Sequence, residues 1–469
     1  MSTRSEFLMQ TDAASAAAAA SGELVKAGEE VANSKSTADS GEKGVQTIED
    51  FLEKSVVPRD VIERFIRGPE SNQFARFDPE VGYLPSNSLM PDGIDGSSTV
   101  STFQSNGARA AFNYADRKPR INTYGDSYTQ CHGVSDGETW QEYLAAHLGE
   151  PIGNFGVGGF GVYQAYRRMI REERTDHGAQ YLIFHIYGDD SIRSLYRSRW
   201  VQTREWFSAS KYEGSMFHGN CWSNVEIDMA TGQLVEREQL LPTKESLYRM
   251  TEAKWLVEHL KDDLALQLAL YCDGRIRELN RAQITKLAAL LDVPFDWDLD
   301  SKAAEVLPNL YRSTKEKGSA MTRMQAQATK LLDRYSLRAT RFILDKARAF
   351  ANQNGKQLLV VLIDPYRAMN ELRQHGTRYD QEIVDYLVRE KVNYIDMNEV
   401  HLGDFKRYNL SWDDYINQYF LGHYSPNGNH FFAHSIKDKV VQWLDPKPLT
   451  YQPLDQKHIS FKGYIKGYE

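Results

Sequence analysis

The chain has 469 residues, 41% hydrophobic and 26% charged, with a formal net charge of -8, a length that holds two or three average domains or one α/β domain with a large insertion. No apolar run approaches the about 18 residues a membrane span needs, and acids and bases are mixed along the sequence without an extended basic face, so neither a membrane nor a nucleic acid is expected as partner. The three cysteines, Cys131, Cys221 and Cys272, are odd in number and far apart, which suits buried thiols better than a disulfide framework or a zinc site.

Residues 1–44 are rich in Ala, Ser, Gly, Glu and Lys, and a disordered tail is predicted because little in them repays the entropy of ordering. The alanine run Ala16 to Ala20 has none of the bulky apolar residues of a secretion signal, which makes a cytoplasmic location the expectation. Residues 45–117 read as an N-terminal extension dominated by turn residues from Phe77-Asp78-Pro79 to Asn106-Gly107-Ala108-Arg109. Arg120 to Tyr124 then reads as a strand ending at Gly125-Asp126-Ser127, and Trp140, Tyr143, Leu144 and Leu148 recur at helical spacing beyond it.

A second turn, Asn154 to Gly159, follows a brief strand and precedes a helix marked by Val162, Tyr166, Met169 and Ile170. Tyr181 to Tyr187 reads as a strand buried on both faces, ending in Gly188-Asp189-Asp190. Residues 118–199 thus form the first part of an α/β core, and 341–445 its second part, with strands Leu358 to Ile363 and Val392 to Met397 and a last helix from Asn427 to Leu444. Residues 200–340 are an insertion, far longer than one crossover helix requires. Its first stretch alternates, and 244–352 is largely helical, with Leu256, Leu260, Leu264 and Leu268 at helical spacing. Two readings stand for it: a cap over the active site, or a helical elaboration for packing or assembly. Residues 446–469 are a C-terminal tail. Strands alternating with helices predict an open parallel sheet with ligands at its carboxyl edge.

Chemistry gathers at those strand ends. A serine hydroxyl needs a base to take its proton and preset donors for the oxyanion formed on attack. Ser127 at a helix start has backbone N–H groups and the helix dipole nearby. Alone, the triplet is also a serviceable helix cap.

In its company, however, Gly125-Asp126-Ser127-Tyr128-Thr129 resembles the first of the four blocks of the SGNH (GDSL-type) hydrolases. Asn154 to Gly159 resembles the second, Tyr187-Gly188-Asp189-Asp190 falls where the third belongs, and Gly422-His423-Tyr424-Ser425-Pro426-Asn427-Gly428-Asn429 resembles the fourth. The resemblance implies Ser127 as nucleophile and its N–H as an oxyanion donor, Gly159 as a second donor, and His423 as base. It also implies an α/β fold, a three-layer open parallel sheet of the SGNH or flavodoxin-like kind, here with a large, mainly helical insertion. Resemblance covers roughly 75–200 and 340–445.

Two departures stand out. The third-block asparagine is Asp189, whose carboxylate donates no hydrogen bond unless protonated. The acid three residues before the histidine is replaced by Phe420, which leaves His423 to be oriented by another group, with Asp413 and Asp414 nearby in sequence. His430, three residues after Asn427, is a rival base placed inside the last helix, and His185 is expected to be a satisfied core residue. No cofactor and no metal are expected: no ligand spacing is present, and the run Gly156 to Gly161 lacks the lysine of a phosphate loop.

The function expected is that of a serine esterase removing an acyl group, foremost acetyl, from a carbohydrate or other small ester, with Asn154, Asp126 and Asp190 lining the site. The partner is then a small-molecule or oligosaccharide substrate, and homo-oligomerisation is left open. Two alternatives remain: a glycoside hydrolase using carboxylates such as Asp189, and a non-catalytic sugar-binding protein.

Overall fold

The computed structural model describes residues 47–68, 75–201, 203, 220–299, 304–306 and 320–452. The tail predicted over 1–44, the C-terminal tail beyond 452 and parts of the insertion lie outside the described residues.

Five strands form one parallel sheet: β1 (Ile121–Tyr124), β2 (Ile152–Asn154), β3 (Tyr181–Tyr187), β4 (Gln357–Ile363) and β5 (Asn393–Asp396). Their order across the sheet is β5-β4-β3-β1-β2, a doubly wound order in which the chain leaves β1 in opposite directions toward β2 and β3. The helices used below are α1 (Ser127–Gln130), α2 (Trp140–Leu148), α3 (Val162–Glu172), α4 (Asp190–Arg193), α5 (Arg323–Gln353), α6 (Gln381–Arg389), α7 (Met397–Phe405), α8 (Trp412–Tyr419) and α9 (Pro426–Trp443).

Side chains of a strand alternate between faces, and here the alternation sorts the core into two layers. Tyr181, Ile183 and Tyr187 of β3, with Leu359, Val361 and Ile363 of β4, pack with Trp140 and Leu144 of α2 and Phe432 and Ile436 of α9. Leu182, Phe184 and Ile186, with Val360 and Leu362, pack instead with Val162 and Met169 of α3, Ile343 and Leu344 of α5 and Leu387 of α6. Every residue of β3 is buried, as a central parallel strand covered on both faces demands.

Two expectations need correction. The turn-rich stretch from Phe77 to Arg109 holds short strands that the sequence did not show, in antiparallel pairs Ala75–Asp78 with Gly82–Pro85 and Ser88–Met90 with Thr99–Ser101, and helices Ile48–Glu53 and Arg59–Arg67 precede it. Strands of three and four residues leave too short a pattern to read against so many Gly, Pro and Asp residues. The boundary drawn at 340 also falls inside α5, which runs unbroken for 31 residues, about 46 Å at 1.5 Å per residue. A reciprocal cap between Thr322 and Gln325 starts it. Its first half packs on Leu264–Cys272 of the insertion and its second half feeds β4, so one helix belongs to both parts. The described insertion joins the α3 and α5 layer of the core through Leu256, Leu260, Leu266 and Leu268.

Candidate active site

At the end of β1 the backbone has no room for a side chain on residue 125: a Cβ there would lie 2.7 Å from the His185 carbonyl oxygen and collide with Thr129 Oγ1. Glycine is therefore required where the chain turns from strand to helix. Asp126 caps α1, its Oδ1 accepting the Tyr128 N–H at 2.9 Å. The serine that begins the helix is thereby held at the carboxyl edge of the sheet, beside the point where strand order reverses.

His423 arrives from the other end of the chain. After α8, Phe420 and Tyr424 pair across a tight loop closed by the Leu421 N–H on the His423 carbonyl at 2.7 Å, with Gly422 in the left-handed region at φ 87°. Ser425 then caps α9 through the Gly428 N–H. The result places His423 Nε2 2.9 Å from Ser127 Oγ. Ser127 Oγ also lies 3.2 Å from Asp126 Oδ2.

Among the described residues, nothing hydrogen-bonds Nδ1 of His423. Phe420 occupies the place of the missing acid and stacks on Tyr424 with ring centroids 4.6 Å apart. Asp413 and Asp414 are exposed in the first turn of α8, where Asp414 bonds Ser411. His430 sits in α9 against Tyr143, ring centroids 5.2 Å apart, and has no contact with Ser127. Desolvation, and next to it the His132 imidazole 5.3 Å away, hold His423 well below its ordinary pKa.

The second block lies against the serine helix so closely that a Cβ on Gly156 would collide with the Gln130 backbone. The Gly158 N–H donates to Gln130 Oε1 at 2.6 Å, and Tyr83 Oη donates to the Gly158 carbonyl at 2.7 Å. Because that carbonyl and the Gly159 N–H share one planar peptide, anchoring the oxygen turns the N–H to the opposite side. Neither the Ser127 N–H nor the Gly159 N–H makes a hydrogen bond among the described residues. Asn154 shapes the turn by accepting the Gly156 N–H at 3.1 Å.

The acids form a separate cluster around Arg193. Its Nη1 lies 2.9 Å from Asp190 Oδ1 and 3.4 Å from Asp126 Oδ2, and its Nη2 lies 3.4 Å from Asp189 Oδ2. Asp126 and Asp190 are almost fully buried, whereas the Asp189 side chain keeps 31% exposure. Burial raises the pKa of Asp189 against the pull of Arg193 and Arg199. Asp190 is raised well above its ordinary value by burial and by Asp126. At the end of β4, Asp364 accepts from Tyr379 Oη at 3.0 Å, and burial lifts it to about 6.

Several of these residues were not singled out in the sequence. Arg193 stands three and four positions after Asp190 and Asp189, a spacing that brings side chains together on a helix and so was a readable signal. Asp364, at the carboxyl end of a predicted strand, was another. Arg199 carries no local mark. Arg199 donates to the Gly159 carbonyl. The three cysteines are buried free thiols, and among the described residues no group of three or more His, Cys, Asp or Glu is arranged to hold a metal. Nor is any described helix long and apolar enough to cross a membrane.

His185 is buried as expected, but neither ring nitrogen has a protein hydrogen-bond partner, so the expectation of a satisfied position is not met. It belongs to the same face as Tyr187, with the Phe432 ring of α9 packed against it, ring centroids 5.6 Å apart. Compared with known proteins, the chain matches no family model and no curated protein.

Proposed function

We propose that this chain is a serine-dependent acyl hydrolase of the SGNH kind, acting on an ester such as an acetylated carbohydrate. The observation that carries the reading is the 2.9 Å contact between Ser127 Oγ and His423 Nε2 at the carboxyl edge of the sheet. In the reaction, His423 takes the Ser127 proton as Oγ attacks the acyl carbon, and the oxyanion is met by the N–H groups of Ser127 and Gly159. Collapse of the adduct expels the alcohol, which receives the proton from the imidazolium. A water molecule, deprotonated by His423, then attacks the acyl-serine and releases the carboxylic acid and the free hydroxyl.

Asp126 and Asp190, which a glycosidase would need as mobile acid and base, instead share one guanidinium in a buried cluster. Asp189 is the exposed member of that set. Its replacement therefore separates the chemistries: Asp189→Asn retains or raises esterase turnover, because an amide adds a donor where the carboxylate has none, whereas a glycosidase relying on it loses its activity. Incubation with a fluorophosphonate probe is expected to label the wild type on Ser127 and to leave Ser127→Ala unlabelled. Absence of labelling, together with cleavage of plain rather than acetylated oligosaccharides, overturns the esterase reading.

A further inference from the structure

We propose that Tyr128, Tyr366 and Tyr424 are positioning residues for His423, doing through its backbone what an acid on Nδ1 does elsewhere. The inference rests on the acyl-transfer reading above. An imidazole that serves as base must keep its Nε2 lone pair on the nucleophile, and a third group bonded to the other nitrogen ordinarily fixes that orientation. Here the loop is held on both sides of the histidine instead.

On the first side, Tyr128 Oη donates to the Gly422 carbonyl at 3.0 Å and Tyr366 Oη donates to the same oxygen at 2.9 Å. One phenol comes from the serine helix itself and the other from the loop after β4, so the carbonyl just before His423 is tied to the element carrying the nucleophile. Gly422 needs this tie: it is exposed, with a left-handed φ and open space around it. On the second side, Tyr424 Oη bonds Nε2 of the fully buried His401 at 2.8 Å, and His401 Nδ1 bonds Tyr415 Oη at 3.0 Å. Asp404 bonds Tyr415 Oη in turn at 3.2 Å. The Tyr424 ring is thereby pinned to α7 and α8, and the imidazole of residue 423 has little freedom other than rotation about its own side-chain bonds. The ring of Tyr128, 5.1 Å from that imidazole, restricts the rotation.

The test compares wild type, Tyr366→Phe and Tyr128→Phe/Tyr366→Phe by fluorophosphonate labelling rate, by turnover of an activated acetyl ester against pH, and by thermal midpoint. Phenylalanine keeps the ring stacking and removes only the donor. Tyr366→Phe is half-buried and leaves Tyr128 on the carbonyl, so it retains its fold; kcat and labelling rate are expected to drop by about 3-fold to 10-fold at unchanged KM. The double variant is expected to fall by about 100-fold, the order associated with a misplacement of 1 Å. Its acid limb moves up toward the ordinary histidine value of about 6.5 as the ring swings into water, a shift that loss of stability alone does not produce. Wild-type labelling rate and acid limb in the double variant overturn the positioning role while leaving the serine reading intact. Failure of the wild type to label overturns both.

Discussion

Among the described residues two imidazoles are sealed in the core, and their surroundings differ. His401 has a phenol on each ring nitrogen, whereas His185 lies between Tyr128 and Phe432 with no partner on either. Desolvation lowers His185 to about 4. Above the unfolded value of about 6.5 the ring is neutral in both states. Below it the unfolded chain takes a proton that the folded chain refuses, so stability is lost as pH falls from about 6.5 toward 4, by about 1.4 kcal/mol per unit for one group. His185→Leu, of similar volume, is expected to change stability at pH 7.5 by less than about 1.5 kcal/mol and to gain on the wild type at each lower pH, as urea unfolding would read. The same physics bears on His423: if it is the base of the proposed mechanism, its lowered pKa keeps it neutral in acid, and the acid limb of kcat/KM is expected well below pH 6.5.

Among the elements, the four-residue α1 is too short to stand by its own hydrogen bonds, and it is propped from below. The Arg109 guanidinium donates to the carbonyls of Gln130, Cys131 and Val134 and pairs with Asp136 at 2.8 Å, with both side chains buried. Its own N–H bonds Asn154, tying the extension to the second block. Removing the cation leaves the buried Asp136 without its counter-charge, held among the described residues only by the Thr102 N–H and hydroxyl, and three carbonyls unmatched, so Arg109→Met is expected to cost about 3–5 kcal/mol and to slow Ser127 labelling in whatever folded fraction remains. The serine turn was legible because Gly125-Asp126-Ser127 sets a turn glycine, a capping acid and a serine directly after a readable strand. The segment Asn106 to Arg109 stood out in the sequence, but what Arg109 props did not, because its partners are 21 to 27 residues away.

Across the whole molecule, buried groups of both kinds set opposing pH dependences. His185 and His401, lowered to about 4 and about 3, withhold protons from the fold in acid. Asp364, raised to about 6, takes one up, and Asp189, Asp190 and Asp263 are shifted in the same direction. A carboxyl with a raised folded pKa contributes stability at low pH and loses it as pH rises from about 4 to about 6. Single variants therefore tilt the profile in opposite senses: His185→Leu gains on the wild type toward acid, and Asp364→Asn gains on it between pH 4 and 6 and holds that gain above. Equal, parallel profiles for the three proteins would show that these groups titrate alike folded and unfolded.

The alternation of strands and helices and the double-sided burial of β3 were written in the sequence, because each depends on residues a few positions apart whose periodicity is local. The path of α5 through the insertion boundary, the approach of Asp126 to Arg193 and the phenols that grip the loop of His423 were decided only by the tertiary structure. Tyr128 meets Gly422 across 294 residues and Ser127 meets His423 across 296. Contacts of that span follow from how the sheet orders its strands and how α8 and α9 close over it, and no spacing within the chain encodes them.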